Sequence, residues 1–426
     1  MFSRNWIVRV TAIAIMLALP VMAYGQTARV EGMAMQGDYI KDYTGIFTYV
    51  SGINSVGNLV YAELGNDASL FGATPTDRGV GAVLGNLWDG RFGIWGIAMR
   101  AQTPAIGQGD ATSSPGPADS TGAGRDRNQN TNQSFDLMWG KKMGTMNFGA
   151  HLSRSFRKDK TVSGGVTTNL EFDNTQAQNN LGRNILGYGA GLGFELSQNT
   201  NVEVSALLES RTFENSVTPP GTSNKDDGGL NYQIAGRMMW QWTPSCVVTP
   251  VLKFYSFDLS HKTNPASANT DNTLSGWQAG VAGNWTVGTS DLFVLGGTFA
   301  SNKVEEGENL FGFQGTYGAP DPQLKLTENL TPQVFAALET HVNRWLTLRF
   351  GANKGAWDKI KVEGKGATAF TRELSISAFR MNIGAGVKVG TLQLDGVLDN
   401  NFAQRATRLG SDDAPTATKV SATYAF

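Results

Sequence analysis

Thr416-Ala417-Thr418-Lys419-Val420-Ser421-Ala422-Thr423-Tyr424-Ala425-Phe426 closes the chain. Counted back from Phe426, every second residue is Tyr424, Ala422, Val420 and Thr418, a largely apolar set with two aromatic rings at its end. The residues between them, Ala425, Thr423, Ser421 and Lys419, are small or polar. A period of two puts the two sets on opposite faces of a strand. A strand with one apolar and one polar face is what a closed membrane barrel requires of its last stave.

The other end of the chain carries an export pattern. Arg4 and Arg9 flank the start, residues 11–21 (TAIAIMLALPV) form an apolar run, and Ala23 and Gly25 are small residues at cleavage-site spacing. This predicts a signal peptide over residues 1–25, cut after Gly25. No Cys follows the cut, so no lipid anchor is expected there. No later run reaches the roughly 18 apolar residues of a spanning helix. The ending Tyr424-x-Phe426 resembles the C-terminal signature of bacterial outer-membrane proteins, which implies that these two residues are an assembly signal read by the barrel assembly machinery.

Composition agrees with a barrel. Of 426 residues, 52 are Gly, 10 Trp, 10 Tyr and 22 Phe, and charged residues make up only 17%, against about 25% in ordinary soluble domains. Half of each barrel strand faces lipid, which accounts for the shortage of charge. Cys246 is the lone cysteine and cannot form an internal disulfide, which argues against a cysteine-stapled scaffold. A net charge of −1 offers no basic surface for nucleic acid.

From residue 56 onward one rhythm repeats: an alternating segment, a short turn, a second alternating segment, a longer polar stretch. The short turns are Asp89-Gly90, Met143-Gly144, Gln198-Asn199, Thr243-Pro244, Gly288-Thr289, Asn343-Arg344 and Gly390-Thr391, residue types that suit tight hairpins. The longer stretches are residues 102–131, 159–184, 214–228, 262–272, 305–327, 358–372 and 404–414. Short turns on one side and long loops on the other describe a barrel with periplasmic turns and extracellular loops. Leu186, Tyr188, Ala190, Leu192 and Phe194 alternate with glycines. Val202, Val204, Ala206 and Leu208 alternate with Glu203, Ser205 and Glu209. Phe379, Met381, Ile383 and Ala385 alternate with Arg380, Asn382 and Gly384. Segments 91–100 and 247–260 are apolar at both parities, so their faces stay unassigned. The count is about sixteen strands, with fourteen as the alternative. The reading is thus an all-β transmembrane antiparallel up-and-down barrel over residues 56–426, a size at which side chains no longer fill the interior. Trp88, Trp139, Trp240, Trp242, Trp285 and Trp345 fall near the short turns and read as an interfacial girdle.

Residues 26–55 lack the rhythm and are read as a periplasmic or lumenal segment. Here Arg29-x-x-Gly32-Met33, an acidic-aromatic run, and the stretch Asn54-Ser55-Val56-Gly57-Asn58-Leu59-Val60-Tyr61-Ala62-Glu63-Leu64-Gly65 resemble the N-terminus of the FadL-like and PorV-like outer-membrane barrels. The family's Asn-Pro-Ala segment is replaced by residues 49–54, which contain no proline. The resemblance implies fourteen strands and, as in FadL itself, an N-terminal segment that plugs the pore; no hydrophobic-substrate role is carried over from it.

Strand parity turns one set of charges toward the lumen: Glu195, Glu203, Glu209, Arg211, Arg237, Glu339, Arg349, Arg380, Lys388, Asp395, Asp399 and Lys419. These are the pore-lining candidates. Folding the hairpin about Asn343-Arg344 sets Glu339 opposite Arg349, and folding the one about Gly390 sets Arg380 opposite Asp399. Such pairs support the wall and, in a wet pore, set the field a solute crosses. In the longest loop, Asp110, Asp119, Arg125, Asp126 and Arg127 sit among Gly, Ser and Pro, as in a mobile exterior loop.

Catalytic and metal chemistry find no support. His151, His261 and His341 show no His-x-x-x-His spacing. Ser153 and His151 share a face, but neighbours two apart on a strand point in parallel and do not form a nucleophile–base pair. Neither an enzyme nor a cofactor is expected. The function expected is a porin-like channel for passive diffusion of small polar solutes or ions. The alternatives are a FadL-like transporter of hydrophobic molecules with residues 26–55 inside, a structural or adhesive barrel with a closed pore, and a soluble secreted β protein. The partners expected are outer-membrane lipid and the assembly machinery, with no nucleic acid. A homotrimer is common among porins of this size, and no interface signal in the sequence decides it.

Overall fold

The computed structural model describes residues 28–65, 77–85, 87–100, 134–160, 179–217, 222–226, 229–258, 260–264, 269–270, 272–306, 324–364, 370–377, 379–398 and 417–426. The signal-peptide reading, Asp399, and the loop charges between Asp110 and Arg127 lie outside them.

All twenty strand segments join one sheet, and every pairing is antiparallel. Four segments, Thr222–Asp226, His261–Asn264, Asn269–Thr270 and Phe370–Ile376, continue neighbouring strands outward, which leaves sixteen staves. The sheet closes where Leu59–Gly65 pairs on one side with Asp77–Leu84 and on the other with Ala417–Ala425. Leu59 faces Ala425 and Gly65 faces Lys419. The terminal strand therefore satisfies both backbone edges that an open sheet would leave bare.

All seven predicted turns fall at strand connections, and these lie at one end. Gly144, Gly288 and Gly390 take positive φ there, the conformation glycine adopts without steric cost. Asp89 also has a positive φ, 56°, in the Leu87–Gly90 turn. Both ends of the barrel chain reach the same side: the Phe426 amide donates to the Asn58 carbonyl at 3.4 Å. Trp240, Trp242 and Trp345 are exposed near this end, and the rings of Tyr424 and Phe426 stack at 6.2 Å. This is the interfacial girdle.

At the opposite end the strands run on into stretches read as loops. Asn179–Ser197 and Leu346–Gly364 are each 19 residues long, where about 9–11 tilted residues cross a bilayer. Beyond the lipid both faces of a strand meet water, so the period-two signal fades although the backbone ladder continues. Residues 327–329 (Thr-Glu-Asn) pair in such a segment.

The outward face is apolar. Ile97, Met99, Leu152, Tyr188, Val204, Ile234, Phe254, Trp277 and Phe350 are all exposed on it. A belt of this extent far exceeds the few hundred Å² of contiguous apolar surface that soluble proteins tolerate, and it is the lipid-facing surface of an outer-membrane barrel. The segment at 91–100 resolves with Ile97 and Met99 outward and Gly96, Ala98 and Arg100 inward. In 247–260, Leu252 and Phe254 face outward, whereas Val251, Lys253, Tyr255 and Phe257 are buried inward. Its inner parity carries apolar residues beside Thr249 and Lys253 because Val251 clusters with Val30, Met33, Met35, Tyr39 and Ile40, residues that precede the first strand.

Candidate functional site

Those residues are the molecule's interior. From Ala28 to Asn58 the chain lies within the barrel as a short helix, Ala28–Gly32, and three 3-10 turns, Gly37–Tyr39, Tyr43–Phe47 and Val50–Ser55. Val30, Met33, Tyr39, Tyr49, Val50 and Ile53 have no exposed surface. One apolar cluster joins Val30, Met33 and Tyr39 to Val294 and Phe335 of the wall, and a second joins Phe47 and Ile53 to Tyr61, Ala98 and Met138. The segment has no regular long helix or strand, so its backbone polar groups need partners from elsewhere. The wall supplies them. Asn382 Nδ2 donates to the Glu31 carbonyl at 2.6 Å, Asn353 Nδ2 to that of Ala34 at 2.9 Å, Asn284 Nδ2 to that of Tyr39 at 2.9 Å, and the Val50 amide donates to Ser205 Oγ at 3.0 Å.

Glycines in the wall make room for this backbone. A Cβ on Gly351 would overlap the Met33 carbonyl, and one on Gly149 would overlap the Val50 carbonyl. Much of the alternation of glycine with apolar residues is thus a lumen surface against which the inner segment lies.

Charge fixes the segment in three places. A chain of ion pairs runs from Asp42 through Arg29, Glu339 and Arg349 to Asp395. Arg29 donates Nη1 to Asp42 at 3.0 Å and grips Glu339 with Nε and Nη2, each at 2.8 Å. Arg349 donates Nε to Glu339 and Nη1 to Asp395, each at 2.6 Å. Second, Glu31 is bound by Lys419, with Arg380 at 3.5 Å. Third, Asp38 meets Lys253 at 2.6 Å. Next to it, Arg237 pairs with Glu203 at 2.6 Å, donates Nη1 to the carbonyls of Asp38 and Ile40, and lies 4.1 Å over the Tyr49 ring. Buried ions keep their charge at tolerable cost only when paired and hydrogen-bonded, and the buried members Arg237, Lys253 and Arg349 are each paired with a carboxylate.

Most of the parity-derived candidates come together here: Glu203, Arg237, Glu339, Arg349, Arg380, Asp395 and Lys419 hold or buttress the inner segment. The expected opposition of Glu339 and Arg349 is present in the register. The remaining candidates lie apart. Glu195 is exposed at the turn side and pairs with Lys142. Glu209 accepts from Asn231 at 2.8 Å, and Arg211 donates to the Asp258 carbonyl at 2.7 Å, both within the wall. Lys388 is exposed at the rim of a cavity. The Arg380–Asp399 pair falls outside the described residues. At the level of the inner segment the charges therefore face protein, where the diffusion reading expected open water.

Sequence reasoning missed Arg29, Glu31, Asp38 and Asp42, because the segment carrying them has no strand parity, and Lys253, because its strand is apolar at both parities. It also missed a cluster formed by Arg100, Asp136 and His151. Arg100 holds both oxygens of Asp136 at 2.7 and 2.8 Å, His151 Nε2 lies 2.9 Å from the same carboxylate, and Phe47 covers Arg100 at 4.4 Å. Among the described residues no group of three His, Cys, Asp or Glu side chains could hold a metal ion.

Two cavities open on the turn side, of about 660 Å³ and 480 Å³, with Arg29 and Lys41 lining both. Further from the turns, beyond Lys253, the inner wall mixes apolar groups with the buried polar side chains of Asn231, Gln233 and Asn302. Tyr255 and Phe257 are buried with rings 6.4 Å apart, and Phe257 pairs in register with buried Leu274.

No protein-family model and no curated protein sequence matches the chain. Among solved structures it is similar to a FadL homologue of Pseudomonas aeruginosa, at 10% identity over 95% of this chain and 100% of that one, with a TM-score of 0.43. It is also similar to the toluene transporter TodX of Pseudomonas putida, at 9% identity over 95% and 96% with a TM-score of 0.36, and to CdiB from Escherichia coli, at 10% over 86% and 63% with a TM-score of 0.44.

Proposed function

We propose that this outer-membrane barrel is a plugged transporter for small hydrophobic molecules. In this reading residues 28–58 close the lumen, and solute crosses when that segment, or the wall holding it, yields. The observation that carries the reading is the filled lumen. A sixteen-stranded barrel has room for an aqueous channel, yet here the interior is occupied by a segment with two apolar clusters and three ionic anchors. Further out, Tyr255, Phe257 and Leu274 give an apolar solute a patch of inner wall to meet, set among buried polar groups such as Gln233 and Asn302.

Two measurements test it. Removing residues 28–55 should raise single-channel conductance in a planar bilayer severalfold; unchanged conductance would remove the plug from the account. Cells carrying the full chain should take up an uncharged aromatic solute faster than cells without it, with no gain for a sugar of similar size. The reverse pattern would restore diffusion of polar solutes.

A further inference from the structure

The larger turn-side cavity is lined by five cationic side chains and three carboxylates. The carboxylates, Asp42, Glu339 and Asp395, are all held in the ion pairs of Arg29 and Arg349. The other three cations, Lys41, Arg344 and Lys388, are exposed, and among the described residues no ion pair reaches them. A chain of net charge −1 thus gathers uncompensated positive charge around a polar hollow of about 660 Å³. Cations around a concave, water-filled wall reinforce one another's field and attract anions.

The three cations also belong to different parts of the molecule. Lys41 is on the inner segment, Arg344 is in the turn after the strand Leu324–His341, and Lys388 is near the end of the strand Phe379–Val389. All three carry the same charge and so supply no attraction between the inner segment and the wall. An anion with several oxygens would supply it.

We propose that this cavity is a binding site for a small polyanion, of the polycarboxylate class, which bridges Lys41 to Arg344 and Lys388 and holds the inner segment against the wall. The site goes beyond the transport reading and does not rest on which solute crosses the barrel.

The probe is citrate, titrated calorimetrically into the purified full-length protein in detergent. Binding should be saturable, should weaken as salt is added, and should be absent with spermidine, a cation of comparable length. The triple variant Lys41→Gln, Arg344→Gln, Lys388→Gln alters exposed side chains only, and heat-modifiable migration checks that its barrel is intact. It should bind citrate about tenfold more weakly or worse, since each lost contact is a charge-assisted hydrogen bond. Citrate should also slow amide hydrogen exchange in residues 28–55 of the original protein and not in the variant. Failure to bind citrate, or equal binding by the variant, overturns the site. Binding without slowed exchange overturns the bridge.

Discussion

Arg349 stands directly opposite Glu339 in the strand register, and its Nε lies 2.6 Å from Glu339 Oε2. On its other side Glu339 receives Arg29 of the inner segment. A cross-strand pair that would otherwise only support the wall thereby becomes the wall's grip on the segment in its lumen.

Arg29→Met should release that grip while leaving the wall pair in place. Arg29 is partly exposed, so the loss is smaller than for a fully buried ion. Transient openings in bilayer recordings should become several times more frequent, and the barrel's heat-modifiable migration should not change. Arg29→Lys, which cannot grip a carboxylate with two parallel bonds, should fall in between.

Lys253 and Asp38 are both shut away from water. Lys253→Met alone strands a buried carboxylate, at about 3–5 kcal/mol against the closed position of the segment. The double variant Lys253→Met, Asp38→Asn should recover most of that. Hydrogen exchange of the amides in residues 28–55 measures both. A double variant no better protected than the single one would mean that the charges do not act as a pair.

Gly351→Ala should displace the inner segment at Met33, because the added methyl occupies the place of the Met33 carbonyl. The outward face of that strand is untouched, so the protein should still assemble in the membrane but conduct more. Conductance equal to that of the original chain would show that the segment does not seal the lumen at this level.

Acid should loosen the Glu31 anchor. Burial pushes the Glu31 carboxyl up, but Lys419, and to a lesser degree Arg380, outweigh this and hold it below its ordinary value of 4.5. A carboxyl depressed in the folded state stabilises fully above that ordinary value and loses its contribution as pH falls through the lower folded one. Exchange of amides near residues 29–35 should therefore accelerate as pH falls below that ordinary value. Glu31→Gln should abolish that acid-dependent step; a step of the same size in the variant would assign it to another group.

The wall was legible because membrane solvation imposes a local rule. Alternate residues must satisfy lipid and interior, and that rule appears in the sequence wherever the interior is polar. It placed all seven turns, the outward faces of most strands, the closing strand and the Glu339–Arg349 pair. It failed at 91–100 and 247–260, where the inner face carries small or apolar residues beside Arg100 and Lys253. Ala98 and Val251 there turn inward onto residues of the N-terminal segment, so both parities carry apolar residues. It was also silent beyond the bilayer, where water on both faces removes the need to alternate.

By itself, then, the sequence determined a closed barrel, its strand parity and the inward direction of its charges, because each follows from residue spacing along one strand. Tertiary structure alone decided what those charges meet. Arg237, Lys253, Arg380 and Lys419 find partners in residues 28–58, up to 388 positions away along the chain. The partners lie in a segment with no periodicity to announce its place. Whether a lumen-facing arginine lines water or holds a plug depends on what fills the ring, and that is fixed only when the ring has closed around it.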